Sequence, residues 1–215
     1  MKSYEKYLNK KGDFVLFEQD IESLEEFDLP NEFKNDIILE KCNIKSLKGS
    51  PEIAGYFKCY NCNLSTLKYG PKKVHTLDCS RNKLSSLEGC PEEMVVIYCD
   101  LNNIFSLKGL PKDMNGTLSC SYNKINSLEG IEEINRLRCL DISHNPINSL
   151  NYIPKEIGSL LCDKTNISFE ELMNYCLNIN DIGEIKTDYK FDFLNFIFAD
   201  NEEKIKMIFD YYNTL

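Results

Sequence analysis

Cys59 and Cys62, with two residues between them, have the C-x-x-C spacing of a dithiol redox pair or of half a zinc site. A tetrahedral zinc site needs four ligands, and the chain has no second C-x-x-C and no pair of histidines at matching spacing. Cys139 and His144 are placed for a Cys–His nucleophile on one strand and the turn that leaves it. His144 lacks an orienting partner in the sequence, so a solvated imidazole is the plainer reading. Cys176 is the other thiol an enzyme would draw on, and His75, in a loop before a strand, suggests no role. There is no P-loop, no G-x-G-x-x-G, no H-E-x-x-H and no G-x-S-x-G. The expectation is a chain with no catalytic residue, no metal and no cofactor. A Cys-dependent enzyme using Cys139 or Cys176 is the remote alternative.

The elements that place these residues come from a repeat of about twenty residues. Eight apolar anchors mark its first position: Phe14, Ile37, Phe57, Leu77, Ile97, Leu118, Leu140 and Leu160. Position three is Leu16, Leu39, Cys59, Cys79, Cys99, Cys120, Ile142 or Cys162. Side chains alternate along a strand, so positions one and three share the inner face of one short strand per copy. Cys59 and Cys62 then fall on positions three and six, slots that Cys fills in other copies, and the C-x-x-C spacing needs no chemistry to explain it. Position six is Gln19, Cys42, Cys62, Asn82, Asn102, Asn123, Asn145 or Thr165. An inward Asn there is expected to satisfy peptide groups of its own and the next turn, with Cys as a weaker substitute. Positions eight and eleven are apolar, except for Glu170 at position eleven of the last copy. A glycine (Gly49, Gly70, Gly89, Gly109, Gly130) and then a proline follow, which excludes a long helix at the rear and predicts extended chain or single 3₁₀ turns. One more apolar residue is expected to return inward: Ile53, Val74, Met94, Met114, Ile134 or Ile157.

The pattern L-x-[LC]-x-x-[NC]-x-[LI]-x-S-L-x-G-x-P resembles a leucine-rich repeat of the short bacterial and bacteriophage kind, over roughly residues 13–167. The resemblance implies an α/β leucine-rich-repeat solenoid of about eight short parallel strands whose concave face binds a protein. Some bacterial ubiquitin ligases carry such repeats, but the fewer than 50 residues after them are too few for that catalytic domain, so ligase activity is not implied. High Asn, Ile, Lys and Tyr content fits an AT-rich genome such as that of a phage, and a partner in a host cell that the protein modulates is the matching expectation.

Open stacks need ends sealed, so three segments are expected: an N-terminal helical cap over 1–12, the solenoid over 13–167 and a C-terminal helical cap over 168–215. Ser3 is placed to cap a first helix with Tyr4, Tyr7 and Leu8 on one face. Ser168 and Glu171 form a capping-box pattern with Ile167 and Leu172 as a staple, and Phe169, Leu172, Met173, Cys176 and Leu177 recur at helical spacing. A second start is Asp200 with Glu203, followed by Ile205, Ile208, Phe209 and Tyr212.

Net charge is −9, which disfavours direct contact with nucleic acid or anionic membranes. No apolar run is long enough to span a bilayer and the first residues lack a signal-peptide core. Most of the ten cysteines fall at repeat positions and read as reduced core thiols, hence a cytoplasmic protein. Positions two, four and five point outward. On neighbouring copies they bring together Tyr60, Asp78, Tyr98, Asp100, Leu101, Tyr122 and Asp141. Tyrosines among carboxylates suit a protein partner that presents Arg or Lys. An acidic mimic of nucleic acid is the alternative, although the strip also holds Lys41, Lys58, Arg81 and Lys164.

Overall fold

The computed structural model describes residues 1–179 and 182–214. Each copy of the repeat is one coil, and each coil gives one strand to a single parallel sheet. The strands are β1 (Phe14–Phe17), β2 (Ile37–Glu40), β3 (Tyr56–Tyr60), β4 (Thr76–Asp78) and β5 (Val96–Tyr98), then β6 (Thr117–Ser119), β7 (Arg136–Asp141), β8 (Glu156–Leu161) and β9 (Glu184–Lys186). Their order in the sheet is their order in the chain, which makes a parallel β-solenoid of about eight turns. Anchors pair with anchors: Phe14 with Ile37, Ile37 with Phe57, Leu77 with Ile97, and Leu140 with Leu160. All eight anchors are buried, and so are Cys79, Cys99 and Cys120 at position three.

The position-six ladder forms, but it points backward along the stack. Asn82 Nδ2 donates to the carbonyls of Cys79 (2.9 Å) and Ser80 (3.2 Å) in its own coil and of Cys59 (2.6 Å) in the preceding one. Its Oδ1 accepts the N–H groups of Cys62 (2.9 Å) and Leu64 (3.0 Å), also in the preceding coil. Cys62 reproduces only the donor half: its Sγ donates to the Leu39 carbonyl at 3.3 Å. With no acceptor on that side chain, the Ile44 N–H bonds to the Cys62 carbonyl instead. This lack of an acceptor accounts for one extra strand pair, Asp20–Ser23 with Asn43–Ser46, which occurs where the next slots hold Cys.

The rear of the coils before the last is turns and short extended pieces, including Glu32–Phe33 paired with Ile53–Ala54, and a 3₁₀ helix at Leu24–Glu26. At position thirteen the backbone is left-handed and close to the coil before; a Cβ on Gly89 (φ 86) would sit 2.7 Å from the Lys68 nitrogen. In coils 3 and 7 that slot holds Tyr69 (φ 67) and Tyr152 (φ 69), so Gly70 lies one place beyond it. One residue expected to return inward does not fill that slot. Ile53 is 38% exposed while Ala54 is buried, because the inward residue lies three places after the proline, as Val74 does after Pro71. By the same count Ile157 follows Pro154, and it is buried at the start of β8, in register with Leu137. Charges run along the rear in matched pairs between neighbouring coils: Glu25 with Lys48 at 2.9 Å, Lys68 with Glu88 at 3.1 Å, Lys108 with Glu129 at 2.7 Å, and Lys112 with Glu133. Each exposed pair contributes little stability.

At the front, Tyr4–Tyr7 is a single 3₁₀ turn, and the Ser3 side chain does not cap it. Tyr4, Tyr7 and Leu8 still pack on the core, where Tyr7 meets Phe27 edge-on at 5.0 Å. At the far end the sheet runs past residue 167 into β9. The rear of coil 8 is helix α1 (Phe169–Asn178), which has no Gly or Pro to stop it. Ser168 Oγ accepts the Glu171 N–H at 3.1 Å, but the capping box is not closed. The Glu171 carboxylate accepts from Leu150 N–H (2.7 Å) and Ser149 Oγ (3.0 Å) of the preceding coil instead. Phe169, Leu172, Met173 and Cys176 are buried, whereas Leu177 is exposed. Helices α2 (Phe193–Phe198) and α3 (Asn201–Tyr212) follow, and Asp200 caps α3 through the Glu203 N–H at 2.9 Å. The buried stripe of α3 is rotated from the expected one: Tyr211 stacks on Phe169 at 4.1 Å, Ile205 and Tyr212 face solvent, and the Phe209 side chain lies outside the described residues.

Candidate interaction surface

The sheet's outer face carries position two as one in-register row: Lys58, Asp78, Tyr98, Ser119, Asp141 and Leu161. Beside it, position five turns the chain out of the strand. All eight position-five residues are left-handed, among them Asn61 (φ 54), Arg81 (φ 56), Leu101 (φ 55), Tyr122 (φ 54) and His144 (φ 56). Asn tolerates that conformation; Leu and Tyr do so at a cost of roughly 1–2 kcal/mol each.

The seven residues singled out from sequence divide into two groups. Tyr98, Leu101 and Tyr122 are 40%, 38% and 49% exposed, on coils 5 and 6. The Tyr122 ring lies flat against His144, with centroids 3.8 Å apart and planes 13° apart. Tyr60 is half-buried, with Lys58 Nζ 5.1 Å and Arg81 Cζ 5.9 Å from its ring centre. The three aspartates, by contrast, are engaged by their own chain. Asp78 is only 9% exposed, and its carboxylate accepts from Tyr56 Oη (3.2 Å) and the Ser80 N–H (3.1 Å). Burial, reinforced by that carboxylate, pushes the Tyr56 phenol up from its ordinary value. Asp100 Oδ1 accepts from Ser119 Oγ (2.7 Å), the Ser121 N–H (2.7 Å) and Ser121 Oγ (2.9 Å). Asp141 accepts the Ser143 N–H at 3.0 Å. These carboxylates shape the strand exits before they shape a partner.

Phe105 was not among the expected residues, yet it is 59% exposed, on the same coil as Leu101. The signal for it was present: it is the one apolar residue at position nine, where other copies hold Glu22, Lys45, Ser65, Ser85, Asn126, Asn148 or Ser168.

The thiols lie elsewhere. Cys59 is fully enclosed and burial drives its thiol upward; Cys62 is pushed up by the neighbouring Cys42 thiol and by burial. The same contact pulls the Cys42 thiol down. Cys139 lies on the outer face of β7, in register with Thr117 and Ser159, and burial followed by the Asp141 charge raises its thiol. A nucleophilic cysteine needs the opposite shift. His144 is occupied by its stack on Tyr122. Among the described residues no group of three or more His, Cys, Asp and Glu is placed to hold a metal, and no helix is long and apolar enough to cross a membrane. Comparison with protein-family models, with curated proteins and with solved structures returns no match.

Proposed function

We propose that the chain is a non-enzymatic protein-binding module built on short leucine-rich repeats, and that its partner docks on the outer sheet face at coils 5 and 6. The repeat assignment rests on apolar positions one, three, eight and eleven together with the Asn or Cys at position six, which satisfies the coil before it. One observation carries the functional reading: Tyr98, Leu101 and Tyr122 are exposed together, and Leu101 and Tyr122 keep side chains ill suited to a left-handed backbone. A residue that breaks a local rule without supporting the core points to selection for something else. Aromatic and aliphatic side chains in one patch are the anchors that protein interfaces use.

The test is affinity purification from native host lysate with mass spectrometry, comparing the wild-type chain with a Tyr98→Ala/Leu101→Ser/Tyr122→Ser variant. The expected result is a protein retained by the wild type and lost by the variant, with the variant's melting temperature not lowered. Equal retention by both would move the interaction off this face.

A further inference from the structure

We infer that the turn edge beside the sheet face, centred on Leu101, Phe105 and Tyr122, receives an acidic extended segment of a partner protein that carries an apolar anchor. This rests on the protein-binding reading above and names the chemistry of what binds. The edge is built from positions five, seven and nine. Across coils 3 to 8 those positions hold eighteen residues without one Asp or Glu, in a chain where Asp and Glu number 34 against 25 Lys and Arg. They include Arg81, Lys83 and Lys124, and among the described residues no ion pair involves any of these three. On the rear of the same coils, by contrast, Lys68 and Lys108 are each matched to an acid of the neighbouring coil.

The apolar groups sit between these cations. Lys83 and Lys124 are both at position seven, in coils 4 and 6, and coil 5 between them presents exposed Leu101 and Phe105. Strands stack about 4.8 Å apart, so the two ammonium stems start roughly 10 Å apart. An extended chain rises about 3.3 Å per residue and alternates its side chains, so acids four positions apart, roughly 13 Å, share one face and come within reach of both flexible lysine stems, with an aliphatic or aromatic residue midway between them on the Leu101–Phe105 surface. The flat Tyr122–His144 stack adds a platform at one end. A nucleic-acid strand fits less well: its continuous negative charge would run beside Asp100, Asp141 and Asp163 on the adjoining strand exits of a chain with net charge −9.

The experiment is selection of a phage-displayed random peptide library on the immobilised full chain, followed by fluorescence anisotropy with the selected peptides. Expected are net-acidic peptides with Leu, Phe or Trp between the acids. They should bind more weakly as salt rises and lose at least about tenfold in affinity to Lys83→Glu/Lys124→Glu and to Leu101→Ser, while the rear variant Tyr69→Ser binds as wild type. The Lys83→Gln/Lys124→Gln variant, which neutralises without reversing charge, should lose less. Neutral or basic peptides, acidic peptides indifferent to the Lys83/Lys124 variants, absence of any enrichment, or tight binding of a dT20 oligonucleotide to the same edge would each overturn the inference. Basic peptides lost on Tyr98→Ala would overturn it while leaving the protein-binding reading intact.

Discussion

Asn102 Oδ1 accepts the backbone N–H of Leu84, eighteen residues earlier in the chain, at 3.0 Å. The same side chain donates to the Cys79 carbonyl at 3.0 Å, so one amide closes both a donor and an acceptor of the coil before it. Both groups are buried, and neither has water as an alternative. Asn102→Ala therefore leaves an orphaned N–H and should destabilise the chain by about 3 kcal/mol in urea denaturation. Asn102→Cys keeps a donor, as Cys62 does, and should lose about half as much. If the Cys variant were no more stable than the Ala variant, the substitution logic of position six would be wrong.

Leu101 is exposed and left-handed, in the slot that Asn61 fills two coils earlier. Asn reaches that conformation more readily than Leu. Leu101→Asn should therefore raise stability by about 1 kcal/mol in thermal or urea unfolding, and should weaken capture of the partner. A stability loss instead would show that Leu101 packs for the fold and is not held there for contact.

Asp100 and Tyr98 are two residues apart and face the same solvent, but their roles separate. Asp100 Oδ1 takes three donors from coil 6, whereas the Tyr98 ring stands largely free. Asp100→Ala should cost about 2 kcal/mol of stability and Tyr98→Ala less than about 0.5. Melting curves of the two single variants decide this. Equal shifts would remove the distinction between a coil-bridging carboxylate and an exposed anchor.

The solenoid was legible because one physical requirement repeats. An inward residue every second position and a polar group at each strand exit give the same signature in every coil, from Phe14 and Leu16 to Leu160 and Cys162. What failed to show was local competition. Glu171 has the capping-box spacing, yet the unpaired Leu150 N–H is a better donor for its carboxylate. Asp78 and Asp100 have the outward parity of partner-facing acids, but adjacent serines and Tyr56 reach them first. Parity says which way a side chain leaves the strand; it does not say what a neighbouring coil places beside it. The exposure of Tyr98, Leu101 and Tyr122 was readable because they stand at outward positions where, among the described residues, no side-chain hydrogen bond to a neighbouring coil draws them in.

The buried thiols make the fold sensitive to alkali. Burial raises Cys59, Cys79, Cys99 and Cys120 above the ordinary thiol range, and Cys90, Cys162 and Cys176 to about 12. A thiol in the unfolded chain ionises near pH 8.5. Below that pH both states are protonated and the full stability is present. Above it the unfolded state sheds protons that the folded state retains, so stability falls with rising pH until the folded thiols ionise as well. Each such thiol contributes a slope of about 1.4 kcal/mol per pH unit, and seven together exceed a typical domain stability within one or two units. Circular dichroism under reducing conditions should therefore show cooperative unfolding between about pH 9.5 and 10.5. Replacing Cys79 and Cys99 with Ala should flatten the approach to that transition, even though the cavities lower stability at pH 7. An unchanged pH dependence in the double variant would mean that these thiols do not set the alkaline limit of the solenoid.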